Sequence, residues 1–368
     1  MWKVEQNANR VVLTSPKGDR TTYHVEGVDL PELSDHSFAI WHALPTAMLR
    51  GEDILIDGPI DPVAAVNAEK LSRIWAMWMP IDFRPVRLVD GARMLPPKRG
   101  PRERMLFYSG GVDSTYHLIS RPKEQKTHAL TIHGMDYKPD DETRFRALLE
   151  KTQPLLTQWN GRRVTIRTDV TRYRNAWVFH GFTLAGCAML VSDLFETAEL
   201  AADHTWEQDL MVGPTGTNHV MNRYLHGSDW RLETVSGDVT RTEKVAAIAK
   251  NQIACRALSF CTDKSIRPDN CGRCSKCVRT KAMFMVTSGI LPPIFLDATF
   301  TPSMLDGIDL RDRVEQAFFA DIYLSALSND TEHHVRGLGQ RLRAVHDNAL
   351  AKLERLARRV VGKPPRVR

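Results

Sequence analysis

One stretch limits the folds open to this chain more than any other: Met105-Leu-Phe-Tyr-Ser109-Gly110-Gly111-Val112-Asp113-Ser114-Thr115. Met105 to Tyr108 is an apolar run that reads as a buried strand, and Tyr116-His117-Leu118-Ile119 begins a helix. The two glycines therefore fall where a strand turns into a helix. The backbone must bend sharply there, and the first N–H groups of the helix have no intrahelical partner. A helix N-terminus with no bulky side chain in front of it is a ready anion site. The hydroxyls of Ser109, Ser114 and Thr115 add donors for phosphate oxygens. A Walker A loop would end in Gly-Lys-Ser/Thr, and no such lysine is present.

Around this turn the chain alternates strand and helix. The strands are expected at 105–108, 127–132, 163–168, 197–202 and 230–235, and the helices at 114–120, 141–158 and 178–195. That alternation predicts an α/β fold with a doubly wound parallel sheet over residues 105–250. Ligands in such folds bind beyond the carboxyl ends of the strands. The rule nominates Ser109–Ser114, His133-Gly134-Met135-Asp136 and Asp169, which should converge. Residues 1–90 read as a small accessory α+β domain. Ser15–Asp19 forms a hairpin loop, Phe38 to Leu44 and Asp53 to Ile56 are strand-like, and a helix runs from Asp61-Pro62 to about Met79. Residues 91–104 form a linker with four basic residues in 96–104, which are either solvated or touch a phosphate-rich partner. From 290 to 368 the chain reads as helical, with an amphipathic helix along Leu338 to Val360 and a basic tail. That tail is either a solvated terminus or a contact with nucleic acid.

The chain has 368 residues, a net charge of +6 and 42% hydrophobic residues, all ordinary for a globular protein with a buried core. The first residues lack the apolar core of a signal peptide, and no apolar run reaches spanning length. A soluble, cytoplasmic protein with no membrane contact is expected, with a homodimer as the expected assembly and room for a protein partner. Of six cysteines, five lie close together. Cys261, Cys271, Cys274 and Cys277 give C-x9-C-x2-C-x2-C, enough thiolates to close a tetrahedral Zn²⁺ site over residues 251–289. An iron–sulfur cluster is the rival occupant. Cys255 is a spare thiol and Cys187 a core residue.

The string Ser109-Gly-Gly-Val-Asp-Ser114 after a strand resembles the pyrophosphate-binding loop of the PP-loop ATP pyrophosphatases, whose sheet is of the HUP-like type. This resemblance implies that Ser109, Gly110, Gly111, Val112, Asp113, Ser114 and Thr115 hold ATP. Asp113 then either helps to hold Mg²⁺ or braces the turn. It also implies that His180-Gly181 opens the third helix beside the nucleotide, where His180 equally well caps or packs, and the strand-end rule adds His133 and Gly134 to the nucleotide residues. Thr240 and Glu243 form a capping box that starts a helix, and by the same resemblance Arg241 clamps phosphate charge. Ser109, Asp113, Ser114 and Arg241 are thus the expected catalytic residues. Gly213-Pro-Thr-Gly-Thr217-Asn218 reads as a loop after a strand, either bordering the acceptor or an ordinary turn.

With Asn270-Cys-Gly-Arg-Cys-Ser-Lys-Cys-Val-Arg279 following the loop, residues 105–289 resemble the 7-cyano-7-deazaguanine synthase family. That resemblance implies adenylation of a carboxylate on a deazapurine, followed by attack of a nitrogen nucleophile. Relatives with extra domains occur in bacterial defence cassettes. Two other functions share the loop: a tRNA thiolase, which needs a free relay cysteine or an open iron, and a nucleotide sensor without turnover.

Overall fold

A computed structural model describes residues 1–89, the backbone of 93–94, and residues 99–170 and 176–346. In chain order the strands are β1 (Lys3–Asn7), β2 (Arg10–Thr14), β3 (Arg20–Glu26), β4 (Pro59–Ile60), β5 (Arg93–Met94), β6 (Glu103–Phe107), β7 (Thr127–His133), β8 (Gly161–Thr168), β9 (Phe195–Ala201) and β10 (Arg231–Val235). The helices are α1 (Phe38–Arg50), α2 (Pro62–Trp78), α3 (Val112–Ser120), α4 (Glu142–Gln158), α5 (Ala176–Leu190), α6 (Trp206–Val212), α7 (His219–Asn222), α8 (Arg241–Ala249), α9 (Gln252–Ala257), α10 (Ser275–Ser288) and α11 (Arg313–Ser328).

Eight strands form one sheet in the order β1-β2-β3-β8-β7-β6-β9-β10. β8, β7, β6, β9 and β10 run parallel, as the strand–helix alternation requires. From β6 the chain steps outward through β7 to β8, then returns to lay β9 and β10 on the other side. The topological switch is thus at the β6/β9 border, where a crevice opens beyond the strand ends. Strand side chains alternate between faces. Met105 and Phe107 enter a core with α1, α2 and α5, while Leu106 and Tyr108 enter a second core with α8 to α11.

The N-terminal segment does not stand apart from this sheet. The β2–β3 hairpin forms as expected, and β3 then pairs antiparallel with β8, from Tyr23 opposite Thr168 to Glu26 opposite Thr165. Asp61 caps α2, accepting from Val63 N at 2.7 Å, and is itself fully buried. Phe38 to Leu44, expected as a strand, is the start of α1. Its apolar residues run without alternation because the helix is enclosed on nearly every side. Gly51 ends it in the left-handed region at φ 67°. Asp53 to Ile56 makes only isolated bridges, Ile54 with Leu88 and Ile56 with Trp2.

The third expected helix stops at Leu190, four residues before β9 begins. Residues 290–300 are not helical, although 3₁₀ turns at Pro302–Gly307 and Glu332–Val335, α11 and a helix over 338–346 follow. The rest of the amphipathic run to Val360 and the basic tail lie outside the described residues, as does Lys98. The other linker cations are all paired within the chain, with the Arg99 and Arg102 side chains buried and that of Arg104 half-buried. Arg99 is 5% exposed and pairs with Asp35, Asp193 and Asp229. Arg102 pairs with Asp229, and Arg104 with Glu199 and Glu233. Among the described residues, no helix is long and apolar enough to cross a membrane.

Candidate active site and cysteine cluster

β6 delivers the chain to Ser109, and Gly110 turns it at φ 77°, a conformation that favours glycine. A Cβ there would also press on Thr152 at 3.0 Å and on the Ala257 carbonyl at 3.2 Å. Ser259 N donates to the Gly110 carbonyl at 2.8 Å, which ties the turn to the segment after α9. Gly111 is the N-cap of α3, and no side chain caps this end. The first amides of α3 therefore open on a cavity of about 560 Å³. Ser109, Gly111, Val112, Asp113 and Ser114 line it, and so does Arg241. Trp41 and Phe179, from α1 and α5, form part of an apolar wall.

Arg241 meets Asp113 in a two-pronged ion pair, Nε to Oδ1 at 3.2 Å and Nη2 to Oδ2, and Nη2 also reaches Asp203 at 3.2 Å. Lys244, fully buried, contacts Asp113 Oδ1 at 3.2 Å and the Ala202 carbonyl at 2.6 Å. Both Asp113 oxygens are thus taken by cations of α8, so this carboxylate braces the turn. Burial pushes Asp203 up, but the charge of Arg241, with His204 and His180, outweighs it and brings the group down to about 2. Burial works against the charge on Arg241 too, yet Asp113 and Asp203 raise its pKa.

Three amides at the start of α8, those of Thr240, Thr242 and Glu243, are already bonded. Thr240 and Glu243 form their capping box, and Thr242 N donates to Asp321 of α11 at 3.1 Å. What α8 presents to the cavity is the Arg241 side chain. Two guanidinium groups lie over the Phe318 ring of α11, Arg241 at 4.4 Å and Arg279 at 3.9 Å from its centre. Arg279 also pairs with Glu315 at 3.1 Å. Burial, with the like charge of Arg241, lowers Arg279 to about 10, so it stays cationic at neutral pH.

The other expected nucleotide residues lie elsewhere. Thr115 is fully buried and not part of the cavity wall. His133 is buried, stacked on Phe145 at 4.1 Å, with Nε2 on the Lys138 carbonyl at 2.7 Å. Gly134 sits at φ 121°, where a Cβ would stand 1.9 Å from the Thr168 carbonyl oxygen. Gly181 lets α5 approach the Gly216 carbonyl, to which a Cβ would come within 1.7 Å. Both glycines are thus accounted for by backbone packing. Asp136 does line the cavity, whereas Asp169 accepts from Thr22 N at 2.9 Å. The loop at 213–218 follows α6 rather than a strand, and its Thr217 lines the cavity and contacts His180 Nε2 at 3.1 Å.

Behind the cavity the ligand atoms of Cys261, Cys271, Cys274 and Cys277 lie within 4.8 Å of one another. The Cys261–Cys274 and Cys271–Cys277 sulfurs are each 3.9 Å apart. Tetrahedral Zn²⁺ with bonds of about 2.3 Å sets its sulfurs about 3.8 Å apart, so this cage suits one such ion. Amides of Arg273 and Cys274 donate to Cys271 Sγ at 3.3 Å, which orients that sulfur. Gly272 turns at φ 81°, where a Cβ would stand 2.2 Å from the Asp297 carbonyl oxygen. Cys255 and Cys187 are buried and outside the cage; burial raises both thiols, Cys255 to about 11.

The cage also delivers cations. Arg267 lies between Cys261 and Cys271, Lys276 between Cys274 and Cys277, and Arg279 one turn further along α10; all three line the cavity. The charges interleaved with the cysteines were the available signal for them. Phe318, Trp41 and Phe179 carried none, since distant chain segments bring them there. Comparisons with known proteins find no matching family model, and no curated protein or solved structure that matches significantly.

Proposed function

We propose that this chain is an ATP pyrophosphatase of the PP-loop type, an adenylating ligase that activates a carboxylate for attack by a nitrogen nucleophile. The observation that carries the reading is the uncapped N-terminus of α3, opening at the carboxyl end of β6 onto a cavity that also holds Arg241. Three features of such an end suit a leaving pyrophosphate: unpaired amides, the positive pole of the helix, and the Ser109 and Ser114 hydroxyls. Arg241, held by Asp113 and Asp203 and laid on Phe318, brings a fixed positive charge without reorganisation. The acceptor carboxylate attacks the α-phosphorus, the α–β bridging bond breaks, and its electron pair leaves with pyrophosphate. The nitrogen nucleophile then displaces AMP from the acyl group and loses a proton. Mg²⁺ enters with the nucleotide, and the cysteine cage holds Zn²⁺ as a structural ion with no open position. A carboxylated 7-deazaguanine is the acceptor that the resemblance suggests.

The bond cleaved tests this directly. With ATP labelled at the α-phosphate, ammonia and 7-carboxy-7-deazaguanine, the label should appear in AMP and an amide or nitrile should form. Label found in ADP, or no turnover despite tight ATP binding, would reject the ligase reading. In the second case the sensor reading would take its place.

A further inference from the structure

The charges on the cavity wall form two groups. Beside the phosphate-binding turn they balance: Asp113 and Asp203 face Arg241 and Lys244. Arg279 is matched by Glu315. Where the loop after β7 meets the cysteine segment, they do not balance. Asp136 pairs there with Arg267 at 2.8 Å. The cavity walls desolvate Asp136 and push it up although its side chain is half exposed, but the charges of Arg267, Lys276 and Lys264 outweigh this and hold the carboxyl below its usual value. Three cations thus crowd this carboxylate, and Lys276 also feels a second one, the Asp203 charge.

The ammonium groups of Lys264 and Lys276 have no hydrogen-bond or ion-pair partner among the described residues, and both side chains line the cavity. Lys276 also stands in the first turn of α10, where the helix dipole disfavours a cation. A cation kept in such a place is stabilised when an anion arrives beside it. Arg267 is fixed, its Nε on the Cys261 carbonyl at 2.6 Å, so the group has one rigid member and two free ones.

We infer that Lys264, Arg267 and Lys276 form a second anion subsite that seats the carboxylate of the acceptor, apart from the turn that takes the ATP phosphates. This rests on the adenylating reading given above. The acceptor is then a small acid recognised by its charge, and a neutral isostere is a poor ligand. The cysteine cage acts in acceptor binding by fixing Arg267 and Lys276 on either side of its sulfurs.

The test is calorimetry on the full chain with three probes: α,β-methylene-ATP, 7-carboxy-7-deazaguanine and the corresponding neutral amide. Wild-type protein should bind the acid about ten- to a hundredfold tighter than the amide, the usual range for a charged hydrogen-bonded contact. In Lys264→Gln/Lys276→Gln that preference should fall to about threefold or less, with affinity for the ATP analogue unchanged and Tm not lowered. An unchanged preference in the double variant overturns the inference. So does a wild-type protein that does not prefer the acid, or a loss of analogue binding as large as the loss of acid binding. If wild-type protein fails to bind the ATP analogue, the adenylating reading falls. A lysine-dependent acid preference in that same experiment would still establish the subsite.

Discussion

Asp113→Asn isolates what holds the turn between β6 and α3 in place. Lys244 is fully buried and has two partners, Asp113 and the Ala202 carbonyl. Neutralising Asp113 leaves this ammonium without a counter-charge. Breaking a buried pair in this way costs about 3–5 kcal/mol. The asparagine oxygen still accepts one bond, so the lower figure, about 3 kcal/mol, is expected. An unfolding entropy of about 2.1 cal/mol/K per residue comes to about 0.8 kcal/mol/K for a chain of this length. The midpoint of thermal unfolding should therefore fall by about 4 °C. Lys244→Met in the same background removes the stranded charge, and Met fills similar apolar volume, so the double variant should recover at least half of that loss. Scanning calorimetry on the wild type, both single variants and the double variant gives the coupling. A single variant within about 1 °C of wild type, or a double variant no better than Asp113→Asn, would refute the claim that this pair braces the turn.

Gly181→Ala should be strongly destabilising, by a few kcal/mol in denaturant titration, because its Cβ would fall 1.7 Å from the Gly216 carbonyl oxygen. A near-neutral result would return Gly181 to the nucleotide. Metal analysis should find one zinc and no iron per chain, and Cys277→Ser should lose the metal; one iron-containing cluster per chain would overturn the cage described above. Glu199 carries the pH dependence. Burial pushes it up, but the His117 hydrogen bond and the charges of Arg121 and Arg104 bring it from 4.5 to about 2. A depressed folded pKa adds stability above pH 4.5 that is lost as pH falls toward 2, here about 3 kcal/mol. The stability gap between wild type and Glu199→Gln should therefore close over that window, and a constant gap would contradict the assignment.

The sheet was legible because its signals are local. Each parallel strand carries a short β-prone stretch, such as Met105–Phe107 or Val164–Ile166, and Gly110 and Gly111 mark the turn into α3. The cysteine cage was legible for the same reason, its spacing being a local constraint. α1 was misread since an enclosed helix has no polar face to set the period, so Phe38 to Leu44 looks like a strand. The glycine signals at Gly134 and Gly181 were real, but a glycine does not announce whether ligand or backbone needs the space. Their neighbours, the Thr168 and Gly216 carbonyls, come from distant segments. Arg99 looked like a surface residue because its three carboxylates are scattered over residues 35 to 229. The support that α11 gives the site, through Glu315, Phe318 and Asp321, leaves no trace in local sequence.

On the proposed function, the bend between β6 and α3 holds the outer phosphates of a nucleotide. A crystal structure with α,β-methylene-ATP tests it most directly. The β- and γ-phosphates should lie against the amides of Gly111 to Ser114, with Arg241 beside them. Phosphates seated elsewhere in the cavity, with that bend left to water, would contradict it.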